Sequence, residues 1–170
     1  MYVRRVIFLL KFIGTILLIA AGSLCGLLES RKLILRERRL EDFLSFLQVM
    51  TTEIRFSQTH LDEIIRRHGE KFEFLKACAE KLEQGAAFLS VWREEASRAA
   101  GFNAEDRRLL QDFGVGLGTT DISGQLAHCE LYTDLFQVRL KEARGQKEKK
   151  AKLYLLLGIF GGIAAALLLG

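Results

Sequence analysis

Apolar positions follow two different patterns along this chain. At the two ends they run on continuously, and between the ends they recur three and four residues apart among charged positions. Residues 12–28 carry no charge, and apolar residues extend that run upstream to Val6 with only Lys11 in between. Residues 153–170 are also uncharged. A bilayer core takes roughly 20 apolar residues as helix, about 17 at the low end. The pattern therefore predicts transmembrane helices over residues 6–28 and 153–169, flanking a domain of residues 29–152. The first run exceeds the roughly 7–15 apolar residues of a secretory signal core. Leu24, just before Cys25, also stands where a lipoprotein cleavage site needs a small residue. Neither run has an ionisable residue at its centre, where a pump or proton relay would need one, so function is sought in the middle.

The middle reads as helices punctuated by glycine, with no proline in the chain. Leu40, Phe43, Leu44, Leu47, Met50 and Ile54 share one helical face, so a helix over about 30–56 continues the first span. Ser57 or Thr59 is expected to cap a second, short helix with Leu61, Ile64 and Ile65, ended by Gly69. Phe72, Leu75, Cys78, Ala79 and Leu82 form a third face, stopped by Gly85. Ser90 is expected to cap a fourth helix, with Val91, Trp92, Glu95 and Ala99, closed by Gly101. Asn103 with Asp106 three residues on starts a fifth, carrying Leu109, Leu110 and Phe113 and giving out at Gly114-Val115-Gly116-Leu117-Gly118. Thr120 or Asp121 caps the sixth, with Leu126, Cys129, Tyr132, Leu135, Phe136 and Leu140 inward. The sixth helix is expected to run unbroken through Lys152 into the second span, with Gly145 its only obvious weak point. The predicted fold class is all-α, a six-helix cytoplasmic bundle flanked by two transmembrane helices.

Charge sets the orientation. Arg31, Lys32, Arg36, Arg38 and Arg39 follow the first span, and Lys141, Arg144, Lys147, Lys149, Lys150 and Lys152 lead into the second. Flanking Lys and Arg stay on the cytoplasmic side, so the bundle is expected in the cytoplasm with both termini outside. The net charge of +4 and pI near 9.1 are then accounted for by anionic lipid at these basic flanks, each residue contributing roughly 1 kcal/mol, without nucleic acid. Cys25, Cys78 and Cys129 form no CxxC pair and read as free thiols in a reducing compartment.

Catalytic and cofactor chemistry finds no foothold. His60, His68 and His128 include no i, i+4 pair, and His128, Cys129 and Glu130 are consecutive, so on a helix they diverge rather than converge on an ion. No serine or cysteine sits in a nucleophile motif. Gly114-x-Gly116-x-Gly118 lacks the preceding strand and the offset third glycine of a dinucleotide loop, and reads as a helix end. No enzyme, metal or cofactor is expected. Gly22 with Gly26, and Gly158 with Gly162, have the small-xxx-small spacing that lets membrane helices approach closely.

Several stretches together resemble the stage III sporulation protein AB family. Leu47-Gln48-Val49-Met50-Thr51-Thr52-Glu53-Ile54-Arg55-Phe56 looks like its first-helix signature, followed in order by Leu61, Trp92 and Leu109 to Phe113. The most specific match is Leu117-Gly118-Thr119-Thr120-Asp121-x-x-x-Gln125, then Lys152-Leu153-Tyr154-x-x-x-Leu157-Gly158-x-x-Gly161. The chain departs from the family at Gln58-Thr59-His60-Leu61, where a proline usually precedes the leucine. The resemblance implies a cytoplasmic domain similar to the type II secretion and type IV pilus F-type platform domain. It also implies a place in the machinery linking mother cell and forespore, among other membrane proteins of that channel and with a secretion-type ATPase, stage III sporulation protein AA, as partner. Candidate contacts for such a partner are Asp121 and Gln125 at the matching turn, and Arg66, Arg67 and Lys71. Gln125 lies outside the cap itself, so its truncation is expected to spare the fold. A membrane-anchored helical signalling or scaffold protein without a transport role is the alternative reading. Long scaffold coiled coils sustain a heptad for many turns, whereas glycines interrupt this one.

Overall fold

The computed structural model describes residues 2–57 and 60–169. Within both apolar runs many side chains, including those of 1–12 and 165–170, lie outside the description. The described residues are all-helical: α1 (Tyr2–Thr52), α2 (Leu61–His68), α3 (Glu73–Glu83), α4 (Phe88–Ser97), α5 (Ala104–Gly116) and α6 (Ile122–Leu169). A π-helical turn, Glu53–Ser57, follows α1, and a 3-10 turn, Gly69–Lys71, follows α2. Two compact units are present. One comprises the chain up to Leu35 and from Ala143 onward, and the other is Arg36–Glu142. In the first unit Gly26 is buried, while large apolar side chains such as Leu17, Leu24, Leu153 and Phe160 are exposed. Gly22, Gly158 and Gly162 lie outside the residues whose packing is described. Among the described residues no helix is long and apolar enough to cross a membrane.

The second unit is built around Phe43, fully buried on α1. Its ring centroid lies 4.7 Å from that of Phe136 on α6, 5.9 Å from Phe72 and 6.0 Å from Phe113 on α5. Edge-on and tilted aromatic pairs of this kind add about 0.5–1.5 kcal/mol each beyond area burial. Trp92 on α4 is fully buried and donates its indole N–H to the Leu110 carbonyl at 2.7 Å. Phe46, Phe74 and Phe102 also enter the core, whereas Phe56 in the π turn is exposed.

Several local expectations need correction. The N-cap of α2 is His60, without a side-chain hydrogen bond; Ser57 belongs to the π turn and Thr59 lies outside the described residues. Helix α4 begins at Phe88, two residues before Ser90, whose hydroxyl donates to the Ala87 carbonyl at 2.8 Å inside the first turn. Leu135 is exposed, because its neighbour Phe136 takes the inward position. Two other expectations hold: α6 runs unbroken through Gly145 to Leu169, and α5 gives out within the Gly114–Gly118 segment, at Gly116. A Cβ at Gly114 would stand 2.0 Å from Trp92 Cδ1, and one at Gly116 would stand 2.3 Å from His128 Cε1. Those two glycines admit rings, and only Gly118, with φ +72°, turns the chain.

The Asn103 expectation holds. Its side chain accepts from the Asp106 N–H and the Asp106 carboxylate accepts from the Asn103 N–H, a complete capping box. The same carboxylate has a larger task. Arg36 Nε and Nη2 donate to its two oxygens at 2.7 and 3.0 Å, and Arg139 Nε donates at 2.8 Å. Arg36 is therefore buried rather than turned to lipid. Arg39 likewise faces the bundle, donating to the Lys71 carbonyl at 2.8 Å and lying 5.8 Å over the Phe72 ring.

Candidate partner-binding site

Lys71 stands apart, its carbonyl bonded to Arg39, whereas Asp121 and Gln125 lie beside the start of α2 at one end of the second unit. There the chain leaves α1 through the π turn, starts α2, and passes from α5 to α6. In the α5–α6 turn Gly118 follows the last helical residues, and Asp121 caps α6. Its carboxylate accepts from the Gly124 N–H and the Ser123 hydroxyl, each at 2.9 Å. Those two bonds hold the Asp121 carboxyl below its usual range, so an exposed, firmly ionised carboxylate marks the turn.

Gln125 has a different place from the one its sequence position suggested. It is only 9% exposed, and its amide oxygen accepts from the Gly118 N–H at 3.1 Å. Its amide nitrogen donates to the Gly116 carbonyl at 3.1 Å and to Thr120 Oγ1 at 3.0 Å. The side chain bolts the turn shut, so its truncation affects the fold.

Helix α2 forms a wall between two clefts. One, of about 410 Å³, is lined by Ile54, His60, Leu61, Ile64, Ile122 and the turn residues Gly118, Thr120, Asp121 and Gln125. The other, of about 430 Å³, lies between α2 and α3, lined by His60, Asp62, Glu63, Arg66, Ala79, Leu82 and Glu83. Thus the structure brings Asp121 and Gln125 to the first cleft and Arg66 to the second. Arg67 is exposed and pairs with Glu63, while Lys71 is exposed on the 3-10 turn. His68 Nε2 reaches Glu53 Oε1 at 3.3 Å, tying the end of α2 to the π turn.

The mixture is one of apolar cleft floor and charged rim, suited to a protein segment: Leu61 and Ile122 offer burial over the core residues Ile54 and Ile64, and Asp121 and Arg66 offer charges of both signs. Ile54 and Ile64 are in the core as their periodicity predicts, whereas nothing in the sequence singled out Leu61 and Ile122 as cleft lining. His128, Cys129 and Glu130 diverge as expected. His128 stacks on Phe113 and donates from Nε2 to the Phe113 carbonyl at 2.8 Å, Cys129 is buried, and Glu130 is exposed. Among the described residues no group of three or more His, Cys, Asp and Glu side chains is placed to hold a metal ion.

No curated protein matches the chain, and no solved structure matches it. The family model of stage III sporulation protein AB matches residues 11–170, which is nearly the whole sequence. The all-helical fold, the Leu117–Asp121 turn locked by Gln125 and this match agree: the chain belongs to the stage III sporulation protein AB family, and its role is in sporulation.

Proposed function

We infer that this chain is a membrane-anchored platform component of the complex between mother cell and forespore, coupling a cytoplasmic secretion-type ATPase to the assembly. The membrane part of this reading is supported by the two uncharged runs. It is supported too by the exposed Leu17, Leu24, Leu153 and Phe160 of the first unit, an arrangement favourable in lipid and costly in water. The bundle then lies on the cytoplasmic side, where the basic flanks keep it, and the F-type platform domain is the architectural analogue that the family resemblance implies.

The observation that carries the partner reading is the two-cleft end of the bundle. A secretion ATPase of the stage III sporulation protein AA type would seat an apolar segment against Ile54, Leu61 and Ile122 and meet the charges of Asp121 and Arg66. Arg66 is exposed in the last turn of α2 beside the second cleft, so a neutral replacement removes its charge without placing an acid at the helix C-terminus. Full-length chain in lipid nanodiscs should retain the ATPase on affinity resin, and Arg66→Gln should weaken retention and reduce spore yield with little change in the unfolding temperature. Failure of the unmodified chain to retain the ATPase would overturn the coupling role.

A further inference from the structure

The bundle carries more acid than base although the chain as a whole is positive: between Arg36 and Glu142 the Asp and Glu residues outnumber the Lys and Arg. Three of those acids meet at the cleft between α2 and α3. The two helices are joined by the 3-10 turn Gly69–Lys71 and run back beside each other, so the start of α2 lies by the end of α3. Asp62 and Glu63 come from the first turn of α2, and Glu83 is the last residue of α3. Ala79 and Leu82, half-buried on α3, form the floor, and Arg66 lines the cleft one turn further along α2.

Not all of these charges serve the fold. Glu63 pairs with Arg67, and Asp62 suits the positive end of α2. Glu83 does neither. It stands at the negative end of α3, where a carboxylate is repelled. Among the described residues neither it nor Asp62 has an ion-pair or side-chain hydrogen-bond partner. Two unpaired carboxylates thus line one cleft with an apolar floor. A metal ion is poorly served, because among the described residues no three ligands converge there. An anionic lipid surface is repelled, and so is the same cleft of a second copy. What fits is a lysine or arginine, whose methylene stem covers apolar surface while its head reaches the carboxylates.

We propose that the α2–α3 cleft receives a basic segment of the ATPase, one lysine or arginine lying over Ala79 and Leu82 with its charge between Asp62 and Glu83. This contact rests on the coupling reading and gives the bound segment its chemistry: a base at the mouth of the cleft and an acid about one turn beyond it, opposite Arg66. Glu83 is then kept for the partner, although α3 alone would be more stable without it.

The test titrates the ATPase onto full-length chain in lipid nanodiscs. Glu83→Gln and Asp62→Asn should each raise Kd by about fivefold, the loss expected of one well-formed exposed ion pair, and Glu83→Lys should raise it further. Added salt should weaken binding of the unmodified chain more steeply than that of Glu83→Gln. Glu73→Gln, at the start of α3 and outside the cleft, should leave Kd unchanged. Glu83→Gln should also melt no lower than the unmodified chain, because it removes an acid from a helix C-terminus; a residue kept for the fold would melt lower. A benzophenone on Glu80→Cys, exposed next to Ala79, should capture the ATPase on illumination in a Cys25→Ser background. Unchanged or tighter binding by Glu83→Gln and Asp62→Asn would overturn the contact, and so would capture of lipid or of a second copy in place of the ATPase. Retention that persists through those results leaves the coupling reading standing, whereas no retention by the unmodified chain defeats both.

Discussion

Arg36 grips the Asp106 carboxylate through Nε and Nη2 at 2.7 and 3.0 Å, across 70 residues of chain and almost out of contact with water. Burial by itself would raise the Asp106 carboxyl, but the bonds from Arg36, Arg139 and the Asn103 backbone outweigh it and hold the group below its ordinary range. A carboxylate depressed in the folded state stabilises the fold above its unfolded value, near 3.9, and that stability is lost as pH falls through the folded value.

Asp106→Ala should therefore cost about 3–5 kcal/mol, since it leaves the buried Arg36 cation without its partner. Asp106→Asn should reduce the steepness with which the melting temperature falls below about pH 4, relative to the unmodified chain. Thermal scans between acid and neutral pH read both effects. Equal acid sensitivity in the two proteins would mean that other carboxylates govern the transition.

A close approach of α5 to α4 sets a second expectation. The Trp92 ring occupies the space a side chain at Gly114 would need. Gly114→Ala should destabilise by about 1–3 kcal/mol through overpacking, and Trp92→Ala by about 3–5 kcal/mol through the cavity it leaves. Because each change relieves the other's defect, the double variant should lose less than the two losses combined. Denaturant midpoints for the four proteins measure the coupling, and strict additivity would deny the contact.

Local signals in the sequence were read correctly where one residue's chemistry answers to its neighbours. Asn103 with Asp106, Gly118 at the left-handed turn, and the α1 stripe from Leu40 to Met50 all follow from spacing alone. What escaped was set by partners far along the chain. Asp106 looked like half of a capping box, and nothing local reveals that arginines 70 and 33 residues away share its carboxylate. Gly114 and Gly116 mark the end of α5 as read, but nothing local reveals that they also admit the rings of Trp92 and His128. Leu135 was placed inward by its leucine character, while Phe136 one step on had the better claim to the core. Gln125 matched a family motif correctly, but a motif does not say whether its residue faces outward or locks the fold.

Thiol reactivity offers an independent check on the core. Burial, with a smaller contribution from Glu95, pushes the Cys78 thiol up to about 12, and Cys129 is raised by burial as well. Thiolate is the reactive form, so neither should react with an aromatic disulfide reagent at pH 8 in the folded chain. Both should react fully in denaturant. Rapid labelling of Cys78 without denaturant would contradict the packing between α3 and α4.

Topology can be tested apart from stability. Under the proposed reading, the basic residues flanking both apolar runs stay on the cytoplasmic side and keep the bundle there. Alkaline phosphatase fused after Gly170 should be active and the same enzyme fused near Gly101 inactive. The reverse pattern would remove the bundle from any cytoplasmic ATPase.

The α5–α6 turn gives the sharpest separation of fold from contact. Gln125→Ala removes an acceptor for the Gly118 N–H and a donor for the Gly116 carbonyl in a largely buried position. Leaving such groups unsatisfied costs about 1–3 kcal/mol each at most, with water recovering part of it near the surface. The melting temperature should fall by several degrees, and Gln125→Glu should fall as well, because a carboxylate oxygen would face the Gly116 carbonyl that the amide nitrogen serves. Ile122→Ser, on the exposed cleft lining beside it, should leave the melting temperature nearly unchanged because Ile122 lies outside the core, and under the proposed coupling role it should weaken ATPase retention. If Gln125→Ala melts like the unmodified chain, the turn is not locked as described. If Ile122→Ser retains the ATPase at full strength, the partner sits in the Arg66 cleft between α2 and α3 instead.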